Sequence, residues 1–142
     1  GIETLPIRMD RICENTLAIA DFLVSHKQVS WVRYAGLKDH PSKPLVEKYM
    51  GGRASGLMSF GIKGDREVGV RFYDALKLIM RMANIGDTRS LAIYPASTTH
   101  RQLSAQEHLA AGVADDMIRL SIGLEHHDDL IEDLEQALSI AK

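Results

Sequence analysis

The run Met117-Ile118-Arg119-Leu120-Ser121-Ile122 sets a branched apolar residue at every second position, and this period restricts the chain more than any other feature. Successive side chains of a β-strand point to opposite faces, so Ile118, Leu120 and Ile122 share one face while Met117, Arg119 and Ser121 share the other. A strand buried on both sides, as in a parallel α/β sheet, reads instead as a continuous apolar run. The pattern therefore predicts a sheet packed on helices by one face, with the second face left to pack elsewhere or to line a cleft.

The rest of the chain supplies the helices and further strands. From Pro6 to about Val24 the positions Met9, Ile12, Cys13, Thr16, Leu17, Ala20, Leu23 and Val24 recur at three and four, the stripe of an amphipathic helix with Pro6 in its first turn. Val29 to Tyr34 is β-branched and aromatic and reads as a strand. Gly36, Pro41 and Pro44 mark a loop leading to a short helix near Leu45–Met50, and Leu57–Lys63 reads as a second strand. Asp65 is placed to cap a helix reaching about Met82, with Val68, Phe72, Ala75, Leu76, Ile79 and Met80 on its buried side. Ser90–Tyr94 reads as a short strand, Ser104-Ala105-Gln106-Glu107 as a capping box, Gly112 as a helix stop, and Asp128 onward as a last helix. In that helix Leu130, Ile131, Leu134, Ala137 and Leu138 point inward. The expected fold class is α+β: a small, mostly antiparallel sheet with helices on one face, and 142 residues suit one core.

Seventeen Lys and Arg against nineteen Asp and Glu give a net charge of -2, which argues against nucleic acid as a partner. The lone Cys13 can form no internal disulfide, and no apolar stretch approaches the roughly 18 residues that a membrane span needs. A soluble protein of a reducing compartment, the cytoplasm, is expected. Gly1 in place of Met, with a helical pattern beginning almost at once, reads as the middle of something longer.

Arg119 is the most informative single residue. A guanidinium in mid-strand beside a hydroxyl suits a two-bond grip on a carboxylate, and equally a structural ion pair or a solvated arginine. Pro95-Ala96-Ser97-Thr98-Thr99-His100 gathers three hydroxyls and an imidazole directly after a strand, either as site residues or as turn chemistry. His126-His127-Asp128-Asp129 lacks the i, i+4 spacing of a helical metal site, and adjacent side chains are not expected to converge; helix capping explains the group. Cys13 falls on the buried stripe and reads as packing. Gly51-Gly52-Arg53-Ala54-Ser55-Gly56 runs into a strand rather than a helix, which removes the phosphate-loop reading and leaves a connector. None of the seven lysines sits in a context that marks a desolvated nucleophile.

Pro95-Ala96-Ser97-Thr98-Thr99-His100, Ile118-Arg119-Leu120-Ser121-Ile122-Gly123-Leu124-Glu125 and Asp128-Asp129-Leu130-Ile131, in that order, resemble the C-terminal part of the Cys/Met-metabolism pyridoxal-phosphate enzymes. The resemblance runs over essentially the whole chain. Within the family, Gly1-Ile2-Glu3-Thr4-Leu5-Pro6-Ile7-Arg8-Met9, Trp31-Val32-Arg33-Tyr34-Ala35-Gly36-Leu37 and Ser97-Thr98-Thr99-His100-Arg101-Gln102-Leu103 are most similar to the O-acetylhomoserine sulfhydrylases. It implies the C-terminal domain of an aspartate-aminotransferase-like, fold type I enzyme: residues 1–27 a lead-in helix from a large N-terminal domain, residues 28–142 the small domain. The implied activity of the whole enzyme is replacement of the acetyl group of O-acetylhomoserine by sulfide or a small thiol, with pyridoxal 5'-phosphate as cofactor and a homotetramer as the assembly.

By the same resemblance the arginine that binds the substrate α-carboxylate falls on Arg119, the serine beside that carboxylate on Ser90, and the hydroxyl near the substrate end of the cofactor on Thr99. Arg89 stands where cystathionine enzymes carry glutamate, which favours a sulfhydrylase, and Tyr94 stands where many relatives carry histidine. The family's Schiff-base lysine and cofactor-binding residues belong to the large domain. The implied expectation is a substrate-binding fragment with no catalytic, cofactor-binding or metal-binding residue of its own, holding no pyridoxal phosphate and inactive alone. A cystathionine γ-synthase, a methionine γ-lyase and a free-standing amino-acid-binding module are the alternatives left open.

Overall fold

The computed structural model describes residues 1–95 and 114–141. The capping box at Ser104–Glu107, the helix stop at Gly112, and Ser97 to His100 with Thr99 lie outside these residues. Helix α1 (Leu5–Ser25) is followed by strand β1 (Val29–Arg33), helix α2 (Lys43–Met50), strand β2 (Leu57–Ile62), helix α3 (Arg66–Ala75), strands β3 (Met80–Arg81), β4 (Leu91–Ile93) and β5 (Met117–Ser121), and helix α4 (His127–Ile140). The sheet order is β1-β2-β5-β4-β3, antiparallel at every pairing except β3 with β4.

The period of two in β5 is realised as expected. Ile118, Leu120 and Ile122 are buried in one core with Met58, Phe60 and Ile62 of β2, and with Ile19 and Leu23 of α1, Phe72 of α3 and Leu130, Leu134 and Leu138 of α4. Phe60 and Phe72 meet edge to face with ring centres 5.8 Å apart, the arrangement that aromatic quadrupoles favour. Helices thus cover this face of the sheet. The termini follow local chemistry: Asp65 accepts the Val68 N–H at 3.1 Å to start α3, and Gly51 closes α2 at φ +58°, a left-handed conformation that glycine takes without Cβ strain.

Two expectations fail for identifiable reasons. The helix expected to reach Met82 ends at Ala75, because side chains of α4 satisfy the backbone where it leaves the helix. The Asp133 carboxylate accepts the N–H groups of Lys77, Leu78 and Ile79, each at 2.9 Å, and Gln136 donates to the Ala75 carbonyl at 2.7 Å. The chain then turns into β3, so Ile79 is buried as expected while Met80 is exposed. The inward face of α1 is also rotated: Asn15 and Ile19 are fully buried, whereas Leu17 and Val24 are exposed.

Candidate functional site

The register places Arg119 of β5 between Ser59 of β2 and Ile93 of β4, and Ser59 in turn opposite Arg33 of β1. Arg119 is half-buried on the face turned away from the helices, where it lines a shallow cavity of about 240 Å³ with Arg33, Leu57, Ser59 and Met117. Among the described residues its guanidinium has no hydrogen-bond or carboxylate partner. A charge taken partly out of water normally finds a counter-charge, so this arrangement suits an anion brought from outside the described residues, and a planar fork of donors suits a carboxylate best.

The residues beyond the end of β5 are locked rather than open. Ser90 is fully buried. Its hydroxyl donates to Glu125 Oε2 at 2.8 Å and accepts the Gly123 N–H at 2.8 Å, while its own N–H donates to Glu125 Oε1 at 2.7 Å. Leu124 N–H donates to the Thr88 carbonyl at 2.8 Å. Gly123 permits that approach, since a Cβ there would lie 2.3 Å from the Thr88 oxygen. From the opposite side Asn15 of α1 donates to the carbonyls of Gly123 (3.1 Å) and Glu125 (2.8 Å). Ser121 is buried too, and its hydroxyl accepts the Gly86 N–H at 3.2 Å. The loop before β4, the turn after β5 and helix α1 are therefore tied into one frame around the strand that carries Arg119.

Arg89 turns onto Asp87, and these hydrogen bonds together with the Arg89 N–H hold the Asp87 carboxyl down to about 2. Tyr94 is fully buried on the helix-packed side and donates to the Asp115 carbonyl at 2.7 Å, and burial pushes its phenol above the usual range. Cys13 is buried, and burial raises its thiol pKa, which disfavours the reactive thiolate. The loop through Gly52 leads into β2, and Arg53 pairs with Asp10. His126, His127 and Asp128 bring ligand atoms within 4.8 Å of one another, contrary to the expectation that adjacent side chains stay apart. The group is solvent-facing, and His126 Nδ1 accepts the Asp128 N–H at the start of α4, the capping role read from sequence.

Sequence reasoning missed Asn15, Glu125 and the row that sets Arg33 and Arg119 on either side of Ser59. An asparagine in a helix interior is a usable signal, because its amide competes with the helix unless it has distant partners. The other two depend on the pairing of strands far apart in sequence.

Comparison with known proteins adds three findings. The family model described as Cys/Met metabolism PLP-dependent enzyme matches residues 1–139. An O-acetyl-L-homoserine sulfhydrylase of Thermus thermophilus is 50% identical over 139 residues, covering 98% of this chain and 33% of the relative, and a homocysteine synthase of Schizosaccharomyces pombe is 45% identical over 141 residues, again 33% of its length. A crystal structure of an O-acetylhomoserine (thiol)-lyase from Campylobacter jejuni, containing N'-pyridoxyl-lysine-5'-monophosphate, superposes with a TM-score of 0.90 at 46% identity, over 98% of this chain and 33% of that one. The chain thus spans about a third of the length of the relatives it matches.

Proposed function

The chain belongs to the Cys/Met metabolism PLP-dependent enzymes, and from that membership we propose that it is the substrate-carboxylate-binding part of an O-acetylhomoserine sulfhydrylase, which exchanges acetate for sulfide or a small thiol to give homocysteine or methionine. The observation that carries this reading is the half-buried guanidinium of Arg119 on the open sheet face, which has no partner among the described residues. Two parallel N–H donors hold the α-carboxylate of the amino acid and so fix the direction of its Cα–H bond. Ser90 serves the same site as a positioning residue, since its hydroxyl is committed to Glu125 and Gly123. Thr99 stands near the substrate end of the cofactor in this reading. Helix α1 is the lead-in from a larger N-terminal domain.

In this reading the described residues supply no lysine for a Schiff base with pyridoxal phosphate. Lys27, Lys38, Lys48, Lys63 and Lys77 are exposed and Lys43 pairs with Glu47 at 2.8 Å, so none offers a desolvated amine beside Arg119. In this reading the cofactor is held by the remainder of the polypeptide, and what these residues contribute is binding and orientation.

The test is an assay of the full-length protein, loaded with pyridoxal phosphate, on O-acetyl-L-homoserine with sulfide and, separately, with cysteine. Formation of homocysteine with sulfide in preference to cystathionine with cysteine is expected. Preferential use of cysteine, or no turnover of the ester, overturns the assignment.

A further inference from the structure

We propose that Arg33 and Arg119 together form a two-point anion site across the sheet, one that takes an amino-acid ligand bearing a second carboxylate in addition to its α-carboxylate. The proposal rests on the role given to Arg119 above; O-acetylhomoserine ends in a neutral ester, so the diacid is a further ligand that competes for the same α-carboxylate grip. Arg33, Ser59 and Arg119 lie in one transverse row over β1, β2 and β5. Neighbouring strands stand about 4.8 Å apart, which sets the two arginine backbones roughly 10 Å from each other. Both side chains line the same cavity of about 240 Å³.

Arg33 is held in place without being neutralised. Its guanidinium lies over the Trp31 ring, 5.2 Å from the ring centre, and the Trp31 indole N–H donates to Asp116 at 3.0 Å. A cation over a ring face spends none of its hydrogen-bonding capacity on an acceptor atom, so the N–H donors of Arg33 remain for a ligand. Five other arginines among the described residues are spoken for: Arg53, Arg81 and Arg89 meet Asp10, Asp74 and Asp87, and Arg8 and Arg71 donate to backbone carbonyls. Among the described residues Arg33 and Arg119 have no such acceptor; Arg11 shares that state but does not line the cavity. On a chain of net charge -2, two cations in one row without a described counter-charge do not follow from an excess of basic residues. They repel each other until an anion lies between or across them. A charge that guards a sheet edge is the competing explanation for Arg33, and it predicts no preference among ligands.

The experiment is calorimetric titration of the full-length, cofactor-loaded protein with L-2-aminopimelate and with L-2-aminoheptanoate, which has the same chain ending in a methyl group. In the wild type the diacid binds about tenfold more tightly, the scale of one charge-assisted hydrogen-bonded contact at a partly exposed site, and in Arg33→Gln that preference disappears. Equal affinities in the wild type overturn the proposal. So does a preference that survives in Arg33→Gln, and a survival accompanied by a lower Tm assigns Arg33 to the strand edge. If the preference behaves as expected while O-acetyl-L-homoserine and sulfide are not turned over, the two-point site stands and the sulfhydrylase reading falls.

Discussion

Strand β5 is flanked by two polar clusters built in opposite ways. Past its C-terminal end, Asn15, Ser90, Gly123 and Glu125 join donors to acceptors within the chain, across separations as large as 110 residues. In mid-strand, on the open face, Arg119 and its neighbour Arg33 meet no acceptor among the described residues. Ser90 and Asn15 are fully buried, so the donors they carry must be met within the protein or stability is lost. The second cluster stays partly wet, which lets the fold tolerate bare cations and keep them for a ligand. One cluster is thereby a frame and the other a grip. Mutations that separate stability from binding test that division.

The largest effect is expected at Arg119. In the full-length protein Arg119→Lys keeps the charge but removes the planar fork, and kcat/KM for the amino-acid substrate should fall about 100-fold, the cost of a reacting group displaced by roughly 1 Å. Its unfolding midpoint in urea should stay close to that of the wild type, because no described contact is lost. Near-normal kinetics would remove Arg119 from the site. A large drop in the midpoint would place it in the frame.

The frame should answer in the opposite way. Glu125→Ala leaves the buried Ser90 N–H and hydroxyl without acceptors, at a cost of about 3 kcal/mol in urea unfolding. Asp133→Ala, remote from both clusters, should cost about 2 kcal/mol, since three N–H groups lose their acceptor but those of Lys77 and Leu78 stand in exposed chain that water can reach. Comparing the two separates the general value of a buried carboxylate from its value beside β5. Only Glu125→Ala should also weaken substrate binding, measured as KM well below the unfolding temperature. A matching rise in KM for Asp133→Ala would show that the frame extends through the whole core.

These two carboxylates also mark where the sequence stops being legible. The alternation in β5 survives folding because it depends only on neighbours two residues apart, and Arg119 could be assigned its face from that alone. Asp65 as an N-cap was equally readable, since its partner is three residues away. Asp133 sits among other acidic residues near the start of α4 with nothing local to set it apart, yet it is buried and ends α3 from more than 50 positions further along the chain. Its effect cancels the helical period through Met80, which no local pattern reveals. Asn15 rotates α1 for the same kind of reason: its amide has partners only once Gly123 and Glu125 arrive. The apolar spacing that favoured Leu17 and Val24 gives way to a polar contact made late in the chain. The resemblance supplies Ser90 and narrows Arg119 to a carboxylate grip, while the partners of Ser90 are visible only in three dimensions.

The smallest effect is expected at the rim of the frame, where Asp87 and Arg89 pair in the exposed loop that leads to Ser90. Hydrogen bonds from Arg89 lower the folded-state pKa of Asp87 from 3.8 to about 2. A carboxyl whose pKa is depressed on folding stabilises the folded chain while it is ionised, so its contribution is complete above the unfolded value of about 3.9 and fades as pH falls through the folded value. Asp87→Asn should therefore lower Tm slightly at pH 6, and the gap from the wild type should close as the pH approaches 2. Solvent screens this exposed pair, so added salt should narrow the same gap. A gap that persists at low pH would mean that Asp87 acts through loop geometry, as an acceptor for the Arg89 N–H, and would move it from the rim into the frame.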